Sequence, residues 1–174
     1  MSEDIKLVSS VKDLNCWISE EFINKLSSSK KDVILLNGPL GVGKTQWVSL
    51  FVKQMFGDQS LQSTADNEEA GNGEAGNVKK ENVTSSPTFS LHNVYQKAGL
   101  TIHHFDLYRL SSENELESFN FWDVFKEDNA YVIIEWSKKF SILKFFPGWQ
   151  VHNIDIDFLD KNSSSRQIKY TKSK

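Results

Sequence analysis

The sequence predicts a three-layer α/β fold whose central strands are parallel and are extended by antiparallel ones. Three observations carry this. The run Val33-Ile34-Leu35-Leu36 is apolar without alternation, as in a strand buried on both faces of a parallel sheet. A second such run, Tyr131-Val132-Ile133-Ile134, comes later and ends on Glu135. Between them, residues 89–95 and 101–107 flank Gln96-Lys97-Ala98-Gly99-Leu100, which reads as an antiparallel hairpin turning near Gly99. At 174 residues the chain is expected to form a single domain.

Taken in order, Ile5 to Val8 reads as a short strand, and Ser9 or Ser10 can cap a helix. In that helix Leu14, Trp17, Ile18, Phe22 and Leu26 recur at helical spacing. After the strand at 33–36, Trp47/Val48, Phe51/Val52 and Met55/Phe56 repeat every four residues, a helix face broad enough to pack on a sheet, with Gly57 as its stop. Residues 58–82 are dominated by Asn, Gly, Glu, Ser and Ala, with Leu61 and Val78 as the large aliphatics, and read as a disordered, solvated surface insertion. Beyond the hairpin, residues 111–125 carry a helical signal, with Leu116, Phe119 and Trp122 at spacing three. A short helix around 137–145, a break at Pro147-Gly148 and strands near 150–158 and 166–170 complete the chain.

Composition excludes several functions. No apolar run approaches the ~18 residues of a membrane span. The single Cys16 rules out an internal disulfide framework or a multi-cysteine metal site, and its apolar neighbours suggest packing, not reactivity. Net charge is −3, and residues 58–82 hold six acids against two bases, so the remainder is nearly neutral and carries no broad nucleic-acid footprint. Lys161, Arg166, Lys169, Lys172 and Lys174 suggest a flexible, solvated basic C-terminal tail. The acidic start Met1-Ser2-Glu3-Asp4 resembles neither a signal nor a transit peptide, and a cytoplasmic address is expected.

The chemistry centres on Gly38-Pro39-Leu40-Gly41-Val42-Gly43-Lys44-Thr45, which fills the template G-x-x-x-x-G-K-[ST] between a strand and a helix. Glycines let the backbone turn with positive φ and present successive N–H groups to phosphate oxygens. The N-terminal end of the following helix adds its dipole, Lys44 can reach the β- and γ-phosphates, and the Thr45 hydroxyl can ligate Mg²⁺. The bland alternative is a chance glycine-rich turn.

Phosphoryl transfer also needs a second contribution to the metal and a group that orients water. Asp106 and Glu135 are the candidates. Asp106 lies among apolar residues at a strand end, where its plainer role is a salt bridge to Arg109 or a helix cap. Glu135 follows four apolar residues at the carboxyl end of a strand, where α/β sheets bind ligands. The adjacent His103 and His104 point to opposite faces of a strand and cannot easily chelate one ion, so packing or hydrogen bonding is expected, with His104 nearer the site. Thr88, after Ser86-Pro87, either senses the γ-phosphate or lies in a plain turn.

Four blocks together closely resemble the TsaE (YjeE) family: the loop 38–45, Ser86-Pro87-Thr88-Phe89, His104-Phe105-Asp106-Leu107-Tyr108-Arg109-Leu110, and Ile134-Glu135-Trp136. Residues 115–125 are similar to the family's acidic-hydrophobic helix. The resemblance implies a P-loop NTPase-like fold and a Mg²⁺-dependent ATPase. Such a subunit works with TsaD-like and TsaB-like proteins in forming N6-threonylcarbamoyladenosine in tRNA, contacting tRNA indirectly through the complex. It implies ATP contacts from the loop, Gln46, Thr88 and Trp136, a catalytic role for Lys44, and metal or catalytic roles for Thr45, Asp106 and Glu135. The chain departs from the family at Gln46, where Thr is common, at Ser137-Lys138, where Pro-Glu is usual, and in the long insertion. A nucleotide-dependent binding module or switch whose hydrolysis is incidental is the alternative, and no acceptor-binding signature supports a small kinase.

Overall fold

The structure, a computed structural model, describes residues 3–57, 79–82, 91–141, 146–160 and 164–173. Its strands are β1 (Glu3–Val8), β2 (Lys31–Asn37), β3 (Lys79–Asn82), β4 (His92–Lys97), β5 (Leu100–Asp106), β6 (Ala130–Glu135), β7 (Gln150–Phe158) and β8 (Arg166–Ser173). They form one sheet in the order β1-β8-β7-β2-β6-β5-β4-β3. The inner strands β7, β2, β6 and β5 run parallel, while β8 and β1 extend one side and β4 and β3 the other in antiparallel fashion. This is the predicted mixture.

The unbroken apolar runs explain the middle of the sheet. Val33 and Leu35 of β2 face one core with Val132 and Ile134 of β6. Ile34 and Leu36 face the other with Ile133, Trp47 and Phe51. Both faces are therefore covered, and β2 and β6 cannot alternate in polarity. Helix α2 (Lys44–Phe56) packs on the second face, where Trp47 stacks on Phe51 at 5.2 Å and Phe22 meets Trp47 edge-on at 5.1 Å. The hairpin turns through Ala98 and Gly99, both with positive φ. That is the backbone a two-residue connection requires.

Four expectations are corrected. Residues 111–125 form no α-helix but two 3₁₀ segments, Glu113–Phe119 and Phe121–Lys126, separated by Asn120 with φ 55. The spacing of three at Leu116, Phe119 and Trp122 is the 3₁₀ repeat itself. The helix expected around 137–145 is a single 3₁₀ turn, Ser137–Lys139, since Phe140 is already extended; residues 142–145 lie outside the described residues. The basic stretch is not a solvated tail: the strand expected near 166–170 is β8, held between β1 and β7, with Ile168 and Tyr170 buried by alternation, while Lys161 and Lys174 lie outside the described residues. The stretch read as an insertion ends at 78, because Lys79–Asn82 pair with β4; residues 58–78 lie outside the described residues.

The first helix is also shorter than its periodicity predicts. Ser10 accepts a hydrogen bond from the Asp13 N–H and caps α1 (Val11–Cys16), which widens into a π-helical turn at Trp17–Phe22 and tightens at Ile23–Lys25. The wider turn still buries Trp17, Ile18 and Phe22. Cys16 is half-buried beside this face.

At the end of the sheet away from the glycine loop, Asp32 and His152 are fully buried. His152 Nε2 donates to Asp32 Oδ1 at 2.8 Å, and the Tyr170 hydroxyl donates to His152 Nδ1 at 3.0 Å. Ser27 adds its N–H and hydroxyl to the carboxylate at 2.9 and 2.6 Å. Burial alone would raise the Asp32 pKa, but the hydrogen bonds from His152 and Ser27 hold it below 3.8. Its folded value is thus below the unfolded one, so its stabilisation is present above pH 3.8 and is lost as pH falls further. Asp32→Ala is expected to cost about 3 kcal/mol at neutral pH, read from urea unfolding, and less below pH 3.

Candidate functional site

The loop between β2 and α2 is shaped by two neighbours. Gly38 has φ 142, and a Cβ there would lie 2.0 Å from the backbone oxygen of Ile156 in β7. Glycine is needed because β7 runs directly alongside. Gly43, with φ 112, brings the chain into α2, so that Lys44 is the first helical residue. The loop's N–H groups and the helix N-terminal end then lie at the carboxyl edge of the parallel strands.

Lys44 is 4% exposed. Its ammonium donates to the backbone oxygens of Gly38 and Pro39 at 2.9 and 3.0 Å and lies 3.9 Å above the Trp136 ring. Burial lowers its pKa, opposed by the Glu135 and Asp106 carboxylates. These acids are register partners at the ends of β6 and β5, and in this way the parallel pairing gathers both acids beside the loop. The Thr45 hydroxyl donates to Glu135 Oε1 at 3.0 Å. Asp106 instead accepts the Tyr108 N–H at 3.0 Å, forming a local turn, and is half-buried.

Trp136 has φ 62, a conformation that is uncommon for a non-glycine residue. Its N–H donates to Leu36 O at 2.9 Å, which pins the turn after β6 to β2. Tyr108 packs at 5.0 Å from its ring. The two rings, with Asn37, Gly38, Pro39, Lys138 and Lys139, line a cleft of about 510 Å³. A second cleft of about 300 Å³ on the other side of the loop is lined by Val8, Ser10, Val11, Val42, Gln46 and Arg166, among others.

Among the sequence candidates, the structure brings together the loop, Lys44, Thr45, Asp106, Glu135 and Trp136, and it places Gln46 at the second cleft. Thr88 lies outside the described residues. His103 and His104 separate as expected. His103 joins His92 at 3.0 Å and Glu127 at 3.1 Å, while His104 bonds Glu135 at 2.9 Å. Two contributors have little or no signal in the sequence. Asn37 accepts the Ser137 hydroxyl at 3.1 Å and the Lys138 N–H at 3.0 Å; its only signal was a polar residue ending an apolar strand. Arg166 donates to Val42 O at 3.1 Å, a contact that depends on where β8 inserts in the sheet.

Thr45 and Glu135 are hard oxygen donors placed side by side, a set that suits Mg²⁺ better than a thiolate- or imidazole-loving metal. The remaining sites of such an ion are ordinarily filled by water and phosphate oxygens.

Residues 72–168, more than half of the chain, match the family model described as threonylcarbamoyl adenosine biosynthesis protein TsaE. The chain belongs to the TsaE family. The matched region holds His104, Asp106 and Glu135 and begins beyond the glycine loop. Three relatives carry the description "tRNA threonylcarbamoyladenosine biosynthesis protein TsaE". The chain is 37% identical to one from Haemophilus influenzae over 119 residues, covering 68% of this chain and 60% of the relative. Identity to one from Rickettsia felis is 29% over 136 residues, covering 78% and 64%. For one from Nostoc sp. it is 30% over 139 residues, covering 78% and 68%. The chain thus spans a little under two thirds of the length of the first two. A crystal structure of Bacillus subtilis YdiB superposes with TM-score 0.58 at 16% identity, covering 98% of this chain and 86% of that one, a likeness of fold. Among the described residues, no helix is long and apolar enough to cross a membrane.

Proposed function

We propose that this TsaE-family chain is a cytoplasmic Mg²⁺-dependent ATPase subunit of tRNA N6-threonylcarbamoyladenosine formation, whose hydrolysis of ATP supports turnover by TsaD-like and TsaB-like partners. The observation that carries this reading is the convergence of Lys44, Thr45 and Glu135 on one edge of the sheet, with the Thr45 hydroxyl 3.0 Å from Glu135 Oε1. The phosphates of ATP lie in the loop 38–45, and Lys44 exchanges the carbonyls of Gly38 and Pro39 for phosphate oxygens. Thr45 and Glu135 would hold the metal, with Asp106 as the second candidate, and bound Mg²⁺ would neutralise charge developing on the β- and γ-phosphate oxygens.

The chain's own residues perform the rest. Backbone N–H groups and Lys44 orient the γ-phosphate for in-line attack. The carboxylate not committed to the metal orients the attacking water. The apolar part of the second cleft, around Val8, Val11 and Val42, is the seat for the base. The first cleft, walled by Tyr108 and Trp136, adjoins the start of the loop and opens toward a partner.

The test is reconstitution. With TsaD-like and TsaB-like proteins, tRNA and the threonylcarbamoyl donor, adding this chain with ATP should support many rounds of modification per complex, whereas a non-hydrolysable ATP analogue should not. Equal modification with and without the chain would remove the proposed role.

A further inference from the structure

We propose that His104 is the positioning residue for Glu135, holding its carboxylate in the rotamer that reaches the metal. This rests on the reading of Glu135 as part of an Mg²⁺-nucleotide site. His104 and Glu135 are 5% and 2% exposed, so both polar groups are removed from bulk water. Their strands fix the approach. His104 pairs in register with Ile133, and Asp106 with Glu135, so His104 lies on the same face as Glu135 and one step behind it. From there Nε2 reaches Oε1 at 2.9 Å.

The bond has a definite polarity. An ionised carboxylate only accepts, so the imidazole carries its proton on Nε2 and donates. Thr45 also donates to Oε1, at 3.0 Å. Both donors fall on one oxygen, and among the described residues Oε2 takes no hydrogen bond, which leaves it to a further ligand. Once the Thr45 hydroxyl turns to a metal it no longer restrains the carboxylate. His104 is then the donor that remains, and it approaches from the sheet side, away from the phosphates. A buried carboxylate without such a partner would lose a hydrogen bond and its fixed orientation together. Ligand-orienting partners of this kind typically contribute 10–100-fold in metal affinity or activity.

His104→Leu and His104→Gln test this, because Gln can set an amide N–H near the position of Nε2 and Leu cannot. Affinity for ATP is measured by calorimetry with and without Mg²⁺ in the wild type and both variants, with cooperative thermal unfolding as the check on folding. His104→Leu is expected to bind metal-free ATP within about threefold of wild type but to lose roughly tenfold or more of the Mg²⁺ enhancement. Its KM for ATP in the presence of Mg²⁺ should rise by a similar factor, and its kcat should fall as well. His104→Gln should recover most of the enhancement. A folded Leu variant with wild-type Mg²⁺ enhancement overturns the proposal, as does a folded Gln variant as impaired as Leu. The wild-type titration reports separately on the nucleotide reading, since only the ratio of variant to wild type reports on His104.

Discussion

Glu135→Gln is expected to bind metal-free ATP within a few-fold of wild type while its turnover falls at least about 100-fold. The substitution keeps the shape of the side chain and removes its charge. In the proposed site, affinity for the nucleotide comes mainly from the backbone N–H groups of the loop and from Lys44, to which Glu135 makes no hydrogen bond. The carboxylate acts instead through Thr45 and His104, both on its Oε1. An amide there cannot accept both donors and stabilise a cation as a carboxylate can, so the chemical step suffers more than binding. Phosphate release at saturating ATP, beside a binding isotherm, separates the two quantities. Retained turnover would shift the catalytic acid to Asp106, its register partner on β5.

Lys44→Ala has the opposite signature, a loss of binding itself. In the structure the ammonium is buried, rests against Trp136 and is satisfied by the carbonyls of Gly38 and Pro39. It is thus held inside the loop, at the proposed phosphate site. Exchanging two neutral acceptors for charged phosphate oxygens gains charge-assisted hydrogen bonds, each on the order of 1.5–3 kcal/mol. Loss of these should weaken ATP binding by roughly 100-fold or more, with AMP, which lacks the β- and γ-phosphates, little affected. Unchanged ATP affinity in a folded Lys44→Ala protein would show that the cradle is not the phosphate site.

Much of this site was legible in the residues because its parts are local. The loop 38–45 carries its own turn chemistry, and Glu135 follows an apolar strand whose direction places it at the ligand edge. Even the separation of His103 from His104 follows from the two-residue period of a strand. What escaped depends on strand order or on the helix type. Arg166 reads both as the start of a strand and as part of a basic tail, and the chain alone does not say that β8 inserts between β1 and β7, which brings it to Val42. The short segments at 113–126 looked α-helical because a repeat of three fits the 3₁₀ and the α pattern alike, and Asn120 gave no warning of its positive φ. Asn37 was invisible for a similar reason, since its partners Ser137 and Lys138 come a hundred residues later in the chain.

The most direct test of the central claim is steady-state phosphate release from ATP and Mg²⁺ by the wild-type chain, alone and with its TsaD-like and TsaB-like partners, with Glu135→Gln run in parallel. The site described here predicts release that requires Mg²⁺, rises on adding the partners and disappears in Glu135→Gln. Release that the partners leave unchanged and that Glu135→Gln retains in full would contradict it.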